Sequence, residues 1–201
     1  MRRRDFVKAW LALAAPKQQA FRDLFDGKSL QHWKGDPALW TVQDGEIVGS
    51  TDRKKIRENS FLVSRETFRN FVFRVQAKLR NNNSGLQFRS ELLPGGAVRG
   101  YQADMGENDY WGNIYEEKGD RGTLVDGWTS TGKKAARLKD WNDLEIRCAG
   151  SNLSVTLNGT VTASLRDTRW STGIIAFQLH TGSAMEVRFR NPRILVLPSA
   201  W

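Results

Sequence analysis

A hairpin signature in the last third of the chain restricts the fold more than any other feature. Two runs with apolar residues at every second position, residues 153–157 and 161–165, flank the dipeptide Asn158-Gly159. A tight two-residue turn of this kind needs positive φ at both positions, which Asn and Gly tolerate best. Since side chains of a strand alternate between its faces, the pattern predicts an antiparallel hairpin with one buried face.

The same alternation recurs along most of the chain. Residues 71–79 place an apolar residue at every odd position, residues 144–148 alternate likewise, and Asp44-Gly45 separates two further short runs. Long stretches with the 3.6-residue period of an amphipathic helix are missing from the sequence. Many short strands joined by Gly and Asn turns predict an all-β protein, either an antiparallel sandwich or a barrel.

Length and charge narrow the class of protein further. The chain of 201 residues has the length of one β-sandwich domain, and 39% of its residues are hydrophobic. Its net charge of +9 would suit a nucleic acid, but several arginines cluster at residues 2–4 and the other basic residues are dispersed among acidic ones. We therefore expect no nucleic-acid partner.

The amino terminus resembles a twin-arginine export signal. Three arginines at residues 2–4 precede a Phe-Val-Lys sequence and a short apolar run, residues 9–15. That run is shorter than the roughly 20 residues that span a bilayer, so we expect no stable membrane insertion. Residues 1–20 are predicted to be the leader of a periplasmic or secreted protein, and residues 21–201 its domain. The alternative is a basic amphipathic helix at the start of the mature protein.

Three strand-like segments each carry two long polar residues, two positions apart, opposite an apolar face. In a curved sheet these faces would converge on one concave surface, whose donors and acceptors suit sugar hydroxyls. We predict that the six side chains line one groove; the alternative is that they are the solvent faces of unrelated strands. They are Gln87 and Arg89, Gln102 and Asp104, and Gln178 and His180.

Carboxylates and metal ligands offer fewer constraints. Glu116 and Glu117 are adjacent, so on a strand they point to opposite faces, but a two-carboxylate glycosidase could combine Asp104 with one of them. The sequence contains only two histidines and no zinc-binding spacing. Asp and Glu oxygens could hold Ca²⁺ or a similar divalent metal, although no ligand spacing argues for it.

Taken together, the motifs resemble the 3-keto-disaccharide hydrolase domain family. No single motif is specific, but their order and spacing are. The resemblance implies an all-β, concanavalin A-like jelly-roll sandwich of the lectin/glucanase type. The matching segments are residues 25–33, 40–45, 83–89, 100–104, 111–117, 141–142, 157–159 and 173–180.

The activity that the resemblance implies is cleavage of 3-keto-glycosides by C2 proton abstraction and elimination, followed by hydration. His180 is the first choice for the base because its unperturbed pKa is nearest neutrality, and Asp104 or Glu116 are alternatives. Arg89 would hold the enolate oxygen, and Tyr115 would protonate the leaving oxygen. The catalytic candidates are thus His180, Asp104, Glu116 and Arg89. The substrate-binding candidates are Gln87, Gln102, Gln178, Tyr115 and Trp111.

Two other classes of function fit the same residues. A carbohydrate-binding module without catalysis would use the same polar face, with Trp111 either stacked on a sugar ring or buried in the core. A structural sandwich domain that mediates protein contacts is a weaker third reading. For the enzyme, His180→Ala and Arg89→Ala are expected to leave the fold intact and remove activity on 3-keto-glucosides.

Overall fold

The computed structural model describes residues 19–198, which form fifteen β-strands, one short α-helix and one 3₁₀ turn. The predicted leader lies outside these residues except for its last two positions. Among the described residues, no helix has the length and apolar character needed to cross a membrane.

The strands form two antiparallel sheets that pack face to face, which confirms the predicted sandwich. Sheet A runs in the order β13 (Thr160–Arg166), β12 (Asn152–Leu157), β11 (Asn142–Ala149), β6 (Phe71–Arg80), β15 (Glu186–Val196), β4 (Glu46–Ser50) and β3 (Trp40–Gln43), with β1 (Arg22–Asp23) paired to β15. Sheet B runs in the order β10 (Thr123–Val125), β9 (Ile114–Glu117), β8 (Val98–Gly106), β7 (Asn83–Leu92), β14 (Gly173–Leu179), β5 (Ser60–Phe68) and β2 (Trp33–Lys34). The α-helix α1 is Ser130–Ala135, and the 3₁₀ turn Pro94–Gly96 forms the tip of the β7–β8 hairpin.

The predicted hairpin is present. Strands β12 and β13 pair in antiparallel register, and Asn158 and Gly159 between them have φ values of 48° and 82°. Asp44 and Gly45 also have positive φ between β3 and β4. Both turns therefore follow from local residue preference.

The core lies between the sheets and is rich in aromatic rings. Phe177 of sheet B stacks on Trp33 at 4.7 Å and on Phe189 of sheet A at 4.0 Å between ring centroids. Stacked rings of this kind add to the free energy gained by burying their large apolar surface. This packing holds β14 in place, and β14 in turn positions the polar residues on the opposite face of sheet B.

Candidate functional site

The pairing of three central strands of sheet B brings four of the predicted polar residues together. Gln87 lies opposite Gln102 of β8 and opposite Ala176 of β14. Alternate residues of these strands fill the core between the sheets, so the intervening polar side chains emerge on the outer face of sheet B. The residues placed there are Gln87, Gln102, Asp104 and Gln178, all of them buried.

A chain of hydrogen bonds joins three of these side chains. Gln87 Nε2 donates to Gln102 Oε1, and Gln102 Nε2 donates to Asp104 Oδ1 at 2.6 Å. Ser90 Oγ donates to Gln87 Oε1 at 2.9 Å. A Cβ atom at position 85 would collide with the Gln102 side chain, so Gly85 is needed for Gln102 to lie flat across the face.

Glu117 is a further member, which the sequence offered only as one of two glutamates that could accompany Asp104. Gln178 Nε2 donates to Glu117 Oε2 at 3.3 Å, and Asn59 Nδ2 donates to Glu117 Oε1 at 3.4 Å. The remaining amide oxygen of Gln178 is buried and has no hydrogen-bond partner. A buried acceptor without a donor is costly in a folded protein. We call Gln87, Gln102, Asp104, Glu117 and Gln178 the polar cluster.

The environment raises the pKa of both carboxyl groups in the polar cluster. Burial raises the pKa of Asp104 to about 7; the hydrogen bond from Gln102 opposes this, and the charge of Glu117 adds to it. Burial also raises the pKa of Glu117. A carboxyl group with a pKa near 7 exchanges its proton at neutral pH, which is what a general base or acid requires.

His180 lies at the end of β14, next to the polar cluster, and its charge contributes to lowering the pKa of Glu117. The ring atom Nδ1 is 2.8 Å from the backbone oxygen of Thr181. Because a carbonyl only accepts, Nδ1 carries the hydrogen of this contact, so that Nε2 is the acceptor whenever the ring is neutral. Asn82 Nδ2 donates to the Thr181 oxygen as well, at 2.9 Å, and thereby helps to hold this turn.

Arg89 does not join the polar cluster, so the prediction of one groove with six side chains is wrong for this residue. Its φ of 48° falls where the pairing of β7 with β8 shifts register, and this bulge redirects the side chain. The guanidinium donates to the backbone oxygens of Arg69 at 2.6 Å and Gly150 at 2.8 Å, and to Asn70 Oδ1 at 3.1 Å. Arg89 therefore ties two turns together, away from the polar cluster.

Glu116 also lies elsewhere, which corrects its place among the catalytic candidates. It is opposite Tyr101, whereas Tyr115 is opposite Gln102, so Glu116 points to the other face of sheet B. There it pairs with Arg121 at 2.7 Å and Arg169 at 3.0 Å, and the hydrogen bonds from Arg121 lower its pKa to about 2. Neighbouring residues of a strand face opposite sides, so Tyr115 shares its face of sheet B with Glu117 and not with Glu116.

The two aromatic candidates for substrate binding, Trp111 and Tyr115, lie in different environments. Trp111 is 1% exposed, and its indole Nε1 donates to the backbone oxygen of Gly106 at 2.7 Å. It belongs to the core and not to a sugar-binding surface. Tyr115 is partly exposed, and burial together with the charges of Glu117 and Asp104 raises the pKa of its hydroxyl. Tyr115 therefore keeps its proton at neutral pH.

The polar cluster contains two carboxylates and amides but is not arranged as a metal centre. Within residues 19–198, no group of three or more His, Cys, Asp or Glu side chains is placed to hold a metal ion.

Comparison with solved structures identifies the type of sandwich. A candidate glycosyl hydrolase from Parabacteroides distasonis ATCC 8503 superposes with a TM-score of 0.65 and 21% identity, over 89% of this chain and 94% of that one. The carbohydrate-binding module CBM66 from Bacillus subtilis gives 0.63 and 16%, over 82% and 95% of the chains. The β-glucanase of Bacillus licheniformis gives 0.60 and 8%, over 92% and 100%. The concanavalin-like jelly-roll sandwich is thus confirmed.

Sequence comparison goes beyond the fold. A search of curated proteins finds no match. The 3-keto-alpha-glucoside-1,2-lyase-like domain family, in contrast, matches residues 20–195, which include all of the polar cluster and His180. This chain therefore belongs to the family of 3-keto-alpha-glucoside-1,2-lyase-like domains.

Proposed function

We propose that this protein is an enzyme that cleaves 3-keto-glycosides by elimination across C1 and C2 of the oxidised sugar. The observation that carries the proposal is the pair of buried carboxyl groups, Asp104 and Glu117, both with raised pKa values and surrounded by amides. An ordinary surface has no reason to keep two such groups out of water, whereas proton transfer needs them there.

The chemistry needs one base and donors for the developing charge. A ketone at C3 acidifies the proton on C2. When the base removes that proton, its electron pair forms an enolate between C2 and the C3 oxygen. The enolate then re-forms the ketone, a double bond forms between C1 and C2, and the bond from C1 to the leaving oxygen breaks. Addition of water to that double bond gives the free 3-keto sugar.

The residues of the site divide into three roles. Asp104 is the base, since its pKa of about 7 matches the working pH best, and a positioned base contributes about 10²- to 10⁴-fold in rate. The buried amides of Gln87 and Gln178 position Gln102 and Glu117 at the site through their hydrogen bonds. Tyr115 donates a proton to the leaving oxygen. His180, through its free Nε2, is the second candidate for the base.

Membership of the lyase-like family supports the elimination, and similarity to a candidate glycosyl hydrolase and a carbohydrate-binding module supports a sugar ligand. The direct test is to incubate the protein with a 3-keto-disaccharide and with the unoxidised disaccharide. We expect monosaccharide release from the oxidised substrate alone, with slower release when C2 carries deuterium.

The same experiment separates the rival functions. Binding of either sugar without product formation would contradict the enzyme and support a carbohydrate-binding module, the function named for the similar CBM66 structure. Absence of both binding and product would favour a structural domain.

A further inference from the structure

A cleft of about 760 Å³ opens on the outer face of sheet B beside the polar cluster. Asn59 belongs to both places, because it lines the cleft and also donates to Glu117. Phe61, which lies at the cleft, is opposite Gln178 in the pairing of β5 with β14. A molecule whose sugar is held by the polar cluster can therefore extend into the cleft.

The floor of the cleft is apolar. Phe61 and Val63 point to the outer face of sheet B and form a small hydrophobic cluster there with Val98 and Ala176. The last residue of β7, Leu92, which is 40% exposed, adds to the wall of the cleft. Apolar side chains of this kind, which include the ring of Phe61, suit an aromatic ring better than a sugar, whose hydroxyls each need a hydrogen-bond partner.

The rim of the cleft is basic. Four basic side chains line it against two acidic ones, and one acidic residue is already paired, since Lys54 lies 2.6 Å from Asp36. Among residues 19–198, the other three basic side chains form no ion pair. The charged residues of the rim are Lys34, Lys54, Lys55, Arg57, Asp36 and Glu58.

We propose that the cleft binds the leaving group of the substrate, and that this group joins an aromatic ring to a carboxylate. The inference rests on the proposed function, because it assumes that the polar cluster holds the oxidised sugar. The apolar floor accounts for the ring, and the unpaired basic rim accounts for the acid. An aryl oxygen also departs more readily than an alkyl oxygen, so an aromatic leaving group suits elimination from C1.

The test compares two 3-keto-glucosides of nearly equal shape, one with a 4-carboxyphenyl and one with a 4-carbamoylphenyl leaving group. We expect kcat/KM to favour the carboxylate by about 3- to 10-fold at low ionic strength, the size of two exposed ion pairs, and less at high salt. The double variant Lys55→Gln/Arg57→Gln should lose this preference and keep its rate on the carbamoyl substrate. Arg53→Gln is the matched control, because Arg53 is exposed on the same loop but does not line the cleft.

The outcomes separate this inference from the proposed function. Equal kcat/KM for the two substrates in the wild-type protein would overturn the inference and leave the proposed function intact. If neither substrate is cleaved, the proposed function fails. Binding of 4-hydroxybenzoate, measured by NMR titration, then tests whether the cleft is an aromatic-acid site. Binding that weakens in the double variant would support the cleft as an aromatic-acid site, whereas equal or absent binding would overturn it.

Discussion

The outer faces of sheets A and B carry polar side chains at the same alternating spacing, yet in opposite environments. On sheet A, strand β11 alternates between buried and accessible residues, and Arg74 pairs with Glu145 at 2.6 Å where water reaches both. On sheet B, the central part of β8 is buried on both faces, and Gln102 and Asp104 bond to each other out of water.

The two outer faces differ in what their charged groups cost the folded protein. An exposed ion pair costs little to maintain and contributes about 0–1 kcal/mol. Burying a carboxyl group is costly and shifts its pKa, as Asp104 shows with a value of about 7. Where a fold keeps such a carboxyl group buried, although an apolar residue would be more stable there, the group is a candidate for a role in proton transfer.

The largest effect is expected from Asp104→Asn, which should lower kcat/KM on a 3-keto-glycoside by about 10²- to 10⁴-fold. Stability should not fall, because an amide oxygen can still accept the hydrogen bond from Gln102 and is neutral when buried. Steady-state kinetics and thermal unfolding check this. A variant as active as wild type would transfer the base to His180, for which His180→Gln is the matching test.

The pH dependence sharpens the same contrast. If Asp104 is the base, kcat/KM should rise about tenfold per pH unit up to about pH 7 and then level off, since only the carboxylate removes a proton. The free energy of unfolding should change in the opposite direction. The folded pKa lies above the ordinary 3.8, so the folded state binds more protons and loses stability as pH rises from about 4 past 7. Asp104→Asn should abolish the rise in rate profiles and, in urea titrations, remove the part of the stability loss that Asp104 contributes, whereas the part due to the raised pKa of Glu117 should remain.

Arg89→Ala should lower the free energy of unfolding by about 3 kcal/mol, because three acceptors lose a charged donor: Asn70 Oδ1, which is buried, and the partly buried backbone oxygens of Arg69 and Gly150. The folded fraction should keep its activity, in contrast to the expectation from sequence. Denaturant unfolding and kinetics at low temperature distinguish the two. A variant that is stable but inactive would contradict the structural role and support Arg89 as a catalytic residue.

Glu116→Gln should cost about 1–3 kcal/mol at pH 7 and leave kcat/KM unchanged, because Glu116 is buried but its arginine partners are partly exposed. The folded pKa of about 2 lies below the ordinary 4.5. The stabilisation is therefore complete above pH 4.5 and is lost as pH falls towards 2. Unfolding at pH 7 and pH 3 should show the difference between variant and wild type shrinking; a loss of activity would contradict a purely structural role.

The smallest effect is expected from Glu145→Gln, which removes the exposed pair with Arg74 on sheet A. Stability should change by less than about 1 kcal/mol, the difference should fade in high salt, and kcat/KM should change less than twofold. The same assays used for Asp104→Asn serve here. Effects of equal size for Glu145→Gln and Asp104→Asn would break the distinction between the two faces.

The alternation of residues predicted the all-β class and the faces of the strands, and the family resemblance added the choice of a sandwich over a barrel. Alternation needs only neighbours along the chain, so Gln87 and Gln102 could be assigned to the side opposite the core residues. The turn at Asn158-Gly159 likewise follows from local φ preferences. All three predicted pairs of polar residues thus contribute to one surface, and Arg89 is the one residue among the six that does not.

Tertiary structure alone decided which polar residues meet and how they ionise. The bulge at Arg89 and the register of β9 against β8 depend on contacts between strands distant in sequence, and a shift of one residue exchanges Glu116 for Glu117. The pKa of Asp104 depends on the exclusion of water by other parts of the fold. Local pattern says which residues of one strand share a face, but it determines neither the strand pairing nor the pKa, because both arise from through-space packing.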